Sequence, residues 1–184
     1  MSKPFASELR VGPSHGNSAE LLFVGLGGNR ERSLQTFARA RELITAHREI
    51  RLLGTSSLYR TDPWGGQTVE PFTNAVIALG TTTDPHHVLD ILMAVEHALG
   101  RRRENETRWG SRTLDLDLLA QGDWQVSRPG LQIPHPRAYL RKFVLVPWAE
   151  LAADFEVPGT GKTVGALLEA CPDDSRVELL DTIL

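Results

Sequence analysis

Residues 114–118 read Leu-Asp-Leu-Asp-Leu. Strict alternation of this kind makes a strand whose leucines face one layer while Asp115 and Asp117 face the other. On strand geometry the two aspartate Cα atoms lie about 7 Å apart, which leaves room for one or two hard cations between their oxygens. Without a cation, two like charges held that close on a half-buried strand raise each other's pKa and cost stability. The plainer alternative is a pair of carboxylates that face water or bond to arginines, since an Asp-x-Asp pair is a weak motif by itself.

The residues just before this strand favour a polyphosphate. Arg101, Arg102, Arg103, Arg108 and Arg112 all fall within a short stretch. A guanidinium fork matches phosphate oxygens in a bidentate way and stays charged at any working pH. A basic cluster alone is ordinarily solvated surface. Here cations adjoin candidate metal-binding anions, as phosphoryl transfer requires.

Upstream, residues 21–26 form a short apolar run ending in Gly27-Gly28-Asn29, which reads as a buried strand and a tight turn. Residues 32–47 place Leu34, Phe37, Ala38 and Ile44 near helical spacing. Residues 50–60 read as a second strand, residues 61–67 as a loop and residues 72–79 as a third strand. Asp84-Pro85 opens a helix that carries Val88, Leu89, Leu92, Val95, Glu96 and Leu99 and stops at Gly100. Downstream, Gln121-Gly122-Asp123 turns into Trp124-Gln125-Val126, expected as a hairpin partner of the Asp-x-Asp strand.

The order strand, helix, strand, strand, helix, strand is the βαββαβ core of a ferredoxin-like α+β fold, a mainly antiparallel sheet flanked by helices. An apolar stretch at 143–151 and a last helix near 163–170 follow. Residues 21–184 are expected to form a single domain, because no repeat, low-complexity tract or linker divides them. Residues 1–20 lack an apolar segment, so they read as a flexible arm rather than a signal peptide or membrane helix.

The chain has 184 residues, 41% hydrophobic and 23% charged, with a net charge of −3 and a pI near 6.1. That balance is typical of a soluble globular protein and argues against broad binding to nucleic acid or anionic membrane. Cys171 is the only cysteine, so no intrachain disulfide and no cysteine zinc site can form, and a cytoplasmic setting is expected.

Several motifs fall short. Gly159-Thr160-Gly161-Lys162-Thr163 resembles the end of a P-loop, but Glu156 stands where the first glycine belongs and Pro158 removes an amide from the cradle. A turn into the last helix is the better reading. Residues 25–29 lack the third spaced glycine of a dinucleotide fold. Among the six histidines none forms an obvious zinc set. His135 lies between Pro134 and Pro136, which restrict its loop, and that suits a rigid surface turn as well as a ligand contact.

Ordered motifs then point to a family. They are Gly-Gly-Asn at 27–29, Ser-Leu-Tyr-Arg-Thr-Asp-Pro-Trp-Gly at 57–65 and Pro-Phe-Thr-Asn-Ala-Val at 71–76. Further along come Glu96 with Leu99-Gly100-Arg101, the segment 108–117, and Ile-Pro-His-Pro-Arg at 133–137. With these the chain resembles the 6-hydroxymethyl-7,8-dihydropterin pyrophosphokinases of folate biosynthesis, over about residues 22–168. The resemblance implies an ATP-dependent diphosphotransferase, in which the terminal pyrophosphoryl group of ATP passes to the pterin hydroxymethyl and AMP leaves.

It also implies roles. Two magnesium ions would sit between Asp115, Asp117 and the triphosphate. Arg101, Arg103 and Arg112 would serve the transferring phosphates, and Glu96, Trp109, Leu118, Gln132, His135 and Arg141 would complete the ATP site. Phe72 and Phe143 would sandwich the pterin, Asn74 would read its amide-like edge, and Thr61, Asp62, Trp64, Trp109 and Asp115 would line the pocket. Without the resemblance Phe72 and Phe143 read equally well as core. Trp109 would belong to a loop that closes over the site. Ser111, Gly130 and Pro136 depart from the family's proline, arginine and tyrosine.

Partners are then small molecules, ATP and 6-hydroxymethyl-7,8-dihydropterin, with no nucleic acid or membrane and a monomeric chain. The rival readings are a ferredoxin-like nucleic-acid-binding module, whose aromatic and basic strand signature is not found here, and a metal-dependent nuclease using the same aspartates.

Overall fold

A computed structural model describes residues 19–29, 32–62, 70–101 and 113–184 of the chain. The first strand, β1 (Glu20–Gly28), leads into helix α1 (Ser33–Thr45), then β2 (Ile50–Thr55), β3 (Ser57–Thr61), β4 (Phe72–Thr81), helix α2 (Pro85–Ala98) and β5 (Asp115–Gln121). Side by side the main strands run β3, β4, β1, β5, every neighbour antiparallel, with β2 also on β4. This is the ferredoxin-like order expected from the sequence.

The expected second strand is one strand broken by a serine. Ser56 is fully buried. Its N–H donates to the Val76 carbonyl (2.9 Å), while its hydroxyl accepts from Val76 N (2.9 Å) and donates to the Ser57 carbonyl (2.7 Å). A side chain thus stands in the backbone ladder. As a result β2 pairs with the far half of β4 (Ile50 opposite Thr81) and β3 with the near half (Thr61 opposite Phe72).

The first strand also departs from expectation. It does not turn at Gly27 but runs through Gly28, paired on both sides: Gly27 lies opposite Asn74 on β4 and Asp115 on β5. It begins at Glu20, so Glu20 belongs to the sheet and not to the proposed arm. Residues 1–18 of that arm lie outside the described residues.

Helix α2 starts as its sequence dictates. Asp84 accepts from His86 N (2.9 Å) and His87 N (3.2 Å), and Pro85 occupies the first turn. α1 and α2 pack on one face of the sheet, over Leu22, Val24, Leu26, Ala75, Ile77, Leu79, Leu114, Leu116 and Leu118.

The residues after β5 build a second helical layer on the other face. β6 (Val126–Arg128) pairs with β7 (Leu131–Ile133), so residues 124–126 are not the hairpin partner of β5. The reason is local: Gly130, with φ of +86°, makes the tight turn between β6 and β7. Helix α3 (Lys142–Ala152) follows, then β8 (Glu156–Val157), β9 (Lys162–Thr163), helix α4 (Val164–Glu169) and β10 (Val177–Ile183). The Gly-Thr-Gly-Lys segment is the turn of the β8–β9 hairpin, with Gly159 and Gly161 both at positive φ. It is no phosphate cradle. β10 was not foreseen, and it extends the sheet by pairing with β3.

Phe23, Val76, Ala78 and Leu119 pack against Val144, Leu145, Trp148 and Phe155 of this second layer. Phe23 is the hub, with ring centroids 5.4 Å from Trp148 and 4.9 Å from Phe155. Glu150 of α3 fastens the helix to β3: its carboxylate accepts from Ser57 N (2.9 Å), Ser57 Oγ (2.8 Å) and Tyr59 Oη (2.9 Å). Burial and then the Glu150 carboxylate push the Tyr59 phenol up to about 12, so it remains a donor at every physiological pH.

Removing this clamp leaves three donors to find water. Glu150→Ala is expected to lower the unfolding free energy by about 1–3 kcal/mol, and Tyr59→Phe by about 1 kcal/mol. Urea titration followed by tryptophan fluorescence reads both. An unchanged midpoint for Glu150→Ala would show that the clamp adds nothing to the fold.

Candidate active site

On the face covered by α3, β1 presents Leu21, Phe23, Gly25 and Gly27 in turn. The first two anchor the second layer's core; the Leu119 side chain lies against Gly25, 3.5 Å from where a Cβ on that glycine would be, and Gly27 leaves the end of the face bare. Alternation brings Asp117 beside Gly25 and Asp115 beside Gly27, while Asn74 flanks Gly27 from the other side. A Cβ placed on Gly27 would lie 3.6 Å from Asn74 Oδ1 and 3.8 Å from Asp115 Cβ. The glycine is therefore a floor between an amide and a carboxylate. At Gly28 a Cβ would come within 2.8 Å of the Thr113 carbonyl, so the approach to β5 also requires glycine there.

Asp115 is held from below. Glu96, in the last turn of α2, is 2% exposed and Arg101 9%. Arg101 Nη1 donates to both Glu96 Oε1 and Asp115 Oδ1. Glu96 Oε1 also accepts from Leu116 N of β5 (2.8 Å). The cation is thus shared by two carboxylates, one buried in the α2 layer and one facing the cleft. This matches in part the alternative in which the aspartates bond to arginines, but it holds for Asp115 and leaves Asp117 otherwise placed.

Asp117 meets His135 and Arg141. His135 Nε2 stands 4.0 Å from Asp117 Oδ1. Burial first, and then the Asp115 charge, push the Asp117 carboxyl up to about 6, and Arg141 opposes the rise. Burial and the Arg141 charge hold His135 down at about 4, so its ring is neutral near pH 7. His135 Nδ1 accepts from Arg137 N (3.2 Å), which leaves the ring proton on Nε2, the nitrogen nearer the cleft. His135 N donates to the Leu119 carbonyl (2.8 Å), fixing the loop on β5.

The opposite wall is polar and aromatic. Thr61 and Asn74 are both buried, and Asn74 Nδ2 donates to Thr61 Oγ1 (2.9 Å). This bond fixes the amide so that Oδ1 faces the glycine floor. Phe72 opens β4 on the same side, opposite Thr61. Phe143 stands in the first turn of α3, with the Arg141 guanidinium carbon 5.7 Å from its ring centre. Asp62 is exposed just past β3.

Of the residues singled out from sequence, the fold gathers Asp115, Asp117, Arg101, His135, Arg141, Asn74, Thr61, Phe72 and Phe143 around one cleft. Glu96 reaches it through Arg101. The Leu118 side chain belongs to the core on the other face. Gln132 is exposed on β7. Trp64, Arg103, Trp109, Ser111 and Arg112 lie outside the described residues. Sequence reasoning missed Gly25 and Gly27 as the floor, although their two-residue spacing on a strand was the available signal.

The donor set suits a hard divalent cation that brings phosphate oxygens with it. Asp115 and Asp117 offer oxygens on one face, and Asp117 carries the cost of an ionised neighbour that a cation would remove. No cluster of three or more His, Cys, Asp or Glu that could hold a metal ion stands among the described residues. No described helix is long and apolar enough to cross a membrane.

Comparison with known proteins agrees with this geometry. The model of the family "7,8-dihydro-6-hydroxymethylpterin-pyrophosphokinase (HPPK)" matches residues 23–153. The 2-amino-4-hydroxy-6-hydroxymethyldihydropteridine pyrophosphokinase of Methylorubrum extorquens is 42% identical over 137 residues, 74% of this chain and 85% of the relative. That of Pseudomonas aeruginosa is 40% identical over 151 residues, 82% of this chain and 91% of the relative. Among solved structures, a Plasmodium falciparum HPPK-DHPS triple mutant has a TM-score of 0.67 at 14% identity, over 85% of this chain and 45% of the malarial one. With a family model matched over residues 23–153 and relatives this similar over most of their length, the chain belongs to the 7,8-dihydro-6-hydroxymethylpterin pyrophosphokinase family.

Proposed function

We propose that the open end of the sheet, floored by Gly25 and Gly27, is where the β-phosphorus of ATP meets the hydroxymethyl group of the dihydropterin. The activity is that of the family: the pyrophosphoryl group of ATP is transferred to 6-hydroxymethyl-7,8-dihydropterin in folate biosynthesis, and AMP is released. Family membership does not favour the nucleic-acid-binding and nuclease alternatives. The observation that carries the assignment is the row Asp115, Gly27, Asn74 across three strands. It sets an acidic group and an amide acceptor on either side of a bare backbone.

In this reading Asn74 Oδ1 accepts from the amide-like edge of the pterin, and Thr61 keeps it turned that way. Phe72 and Phe143 supply the flat apolar faces for the ring, which give affinity, while the amide supplies the choice of pterin over other rings. Thr61, Asp62 and, from the sequence, Trp64 and Trp109 complete the pocket.

The triphosphate lies over the aspartates. Arg101 and Arg141 oppose its charge, with Arg103 and Arg112 assigned from sequence to the same task. Neutral His135 donates Nε2–H to a phosphate oxygen. Glu96 keeps Arg101 oriented, while Gln132 borders the nucleotide from β7 and Leu118, its side chain in the core of the opposite face, can do so from β5 only through its backbone. Asp115 and Asp117 would hold two magnesium ions, which neutralise triphosphate oxygens and make the β-phosphorus easier to attack. A monomer in the cytoplasm, with residues 20–184 as one domain, fits these small-molecule substrates.

Two measurements test this. Incubated with ATP, magnesium and the reduced pterin, the protein is expected to form AMP in a one-to-one ratio with pterin diphosphate, read by ion-exchange chromatography. ADP as the nucleotide product would refute the assignment.

The second measurement concerns Asp117. Its folded carboxyl binds a proton more tightly than the unfolded one, whose value is 3.8. The native state is therefore progressively penalised as pH rises from about 4 to about 6, and the full penalty persists at pH 7.5. Asp117→Asn is thus expected to raise the melting temperature of metal-free protein at pH 7.5, by an amount that shrinks as pH falls from about 6 to about 4. The same variant should lose about a hundredfold or more in turnover. A variant that melts lower than the parent at pH 7.5, or one that turns over normally, contradicts the assigned role.

A further inference from the structure

The helix that carries part of the cleft wall begins with a deficit. α3 starts at Lys142, directly after Arg141, whose backbone is extended and whose side chain makes no capping bond. A guanidinium has only donors, whereas the first N–H groups of a helix need an acceptor. Pro147 lies inside the same helix. With no N–H, it cannot bond the Phe143 carbonyl four residues back, and its ring crowds that carbonyl. The turn that bears Phe143 is therefore weakened at its entry and at its first carbonyls.

The missing acceptor comes from much later in the chain. Asp173 Oδ2 accepts from Lys142 N (2.8 Å) across 31 residues of sequence. Its Oδ1 accepts from Ser175 N (3.0 Å), a local turn that aims the carboxylate at the helix. A negative charge at this place also meets the positive end of the α3 dipole. Asp173 stands between α4 and β10, twenty residues beyond the segment matched by the family model, which ends at 153.

We infer that Asp173 is a positioning residue for substrate binding: it caps α3 from the C-terminal segment and so keeps Arg141 and Phe143 set toward the cleft. The inference rests on the reading of Arg141 as a triphosphate contact and of Phe143 as a pterin contact. Once the cap is lost, the first turn spends part of its time frayed, and only the intact fraction binds. Apparent affinity falls in proportion to that fraction, while chemistry in the bound complex is unchanged.

The test compares Asp173→Ala, Asp173→Asn, Phe143→Ala and the double variant Asp173→Ala/Phe143→Ala in the full chain. Steady-state kinetics with ATP and 6-hydroxymethyl-7,8-dihydropterin are measured along with melting temperatures. Asp173→Ala is expected to raise KM for both substrates by up to about fivefold, the limit set by loss of a typical cap, with kcat kept within about twofold. Asp173→Asn retains a neutral acceptor and should restore most of the affinity. In the double variant the increase in KM for the pterin should be smaller than the product of the single increases.

A lowered melting temperature with both KM values unchanged would reduce Asp173 to a structural cap and overturn the inference. So would an Asn variant as impaired as the Ala variant, or fully multiplicative effects. Should Phe143→Ala leave KM for the pterin unaltered, the reading of Phe143 fails separately. The inference is then decided by the KM for ATP, through Arg141.

Discussion

Side-chain volume along one face of β1 falls from large to nothing, through Leu21, Phe23, Gly25 and Gly27, and the rest of the molecule is arranged around that gradient. Where the face is bulky it binds a second helical layer, with Phe23 wedged between Trp148 and Phe155. Where it is bare, no side chain of β1 can fill the space, so neighbouring strands lend polar groups to it. Packing at one end and a cleft at the other are two results of one strand's composition. The sheet's opposite face shows no such gradient, and its continuous core under α1 and α2 gives the cleft a rigid base.

The charges in the cleft are not equivalent, although the two aspartates look alike in sequence. Asp115 shares a buried guanidinium with Glu96, so one positive charge is divided between two carboxylates and Asp115 is fixed in place. Among the described residues Asp117 has no such anchor at short range, and it bears the cost of burial first and then of lying close to Asp115. Arg141 pulls against that cost and, after burial, is the second cause that keeps His135 neutral. The site is thus asymmetric, with one fixed carboxylate and one whose ionisation is held under tension.

What could be read from sequence followed from periodicity. The alternation at 114–118, the helix opened by Asp84-Pro85 and the strand at 72–79 all stand where their patterns put them, since each is a local preference that the fold reinforces. The failures were non-local. Gly27 and Gly28 look like a turn, yet pairing on both sides draws them into the sheet. Ser56 carries no mark of a strand break, because its hydroxyl acts only against the partner strand. Residues 124–126 follow a turn signal but find β7 instead of β5. β10, the Glu150 clamp and Asp173 depend on contacts across tens of residues, which no window of sequence contains. The residues of the cleft itself were legible through their motifs, whereas the bare floor beneath them was visible only as two glycines.

The buried carboxylate of Glu96 has one more effect, on the sheet's margin. Among the described residues β5 ends the sheet on its side, and an outermost strand ordinarily exposes N–H groups that can template pairing with a foreign chain. Here Leu116 N is already taken by Glu96 Oε1, and the acid is locked in place by Arg101. An invading strand would have to expel a desolvated ion pair before forming its first rung. The same carboxylate that orients Arg101 therefore also occupies a rung that a foreign strand would need.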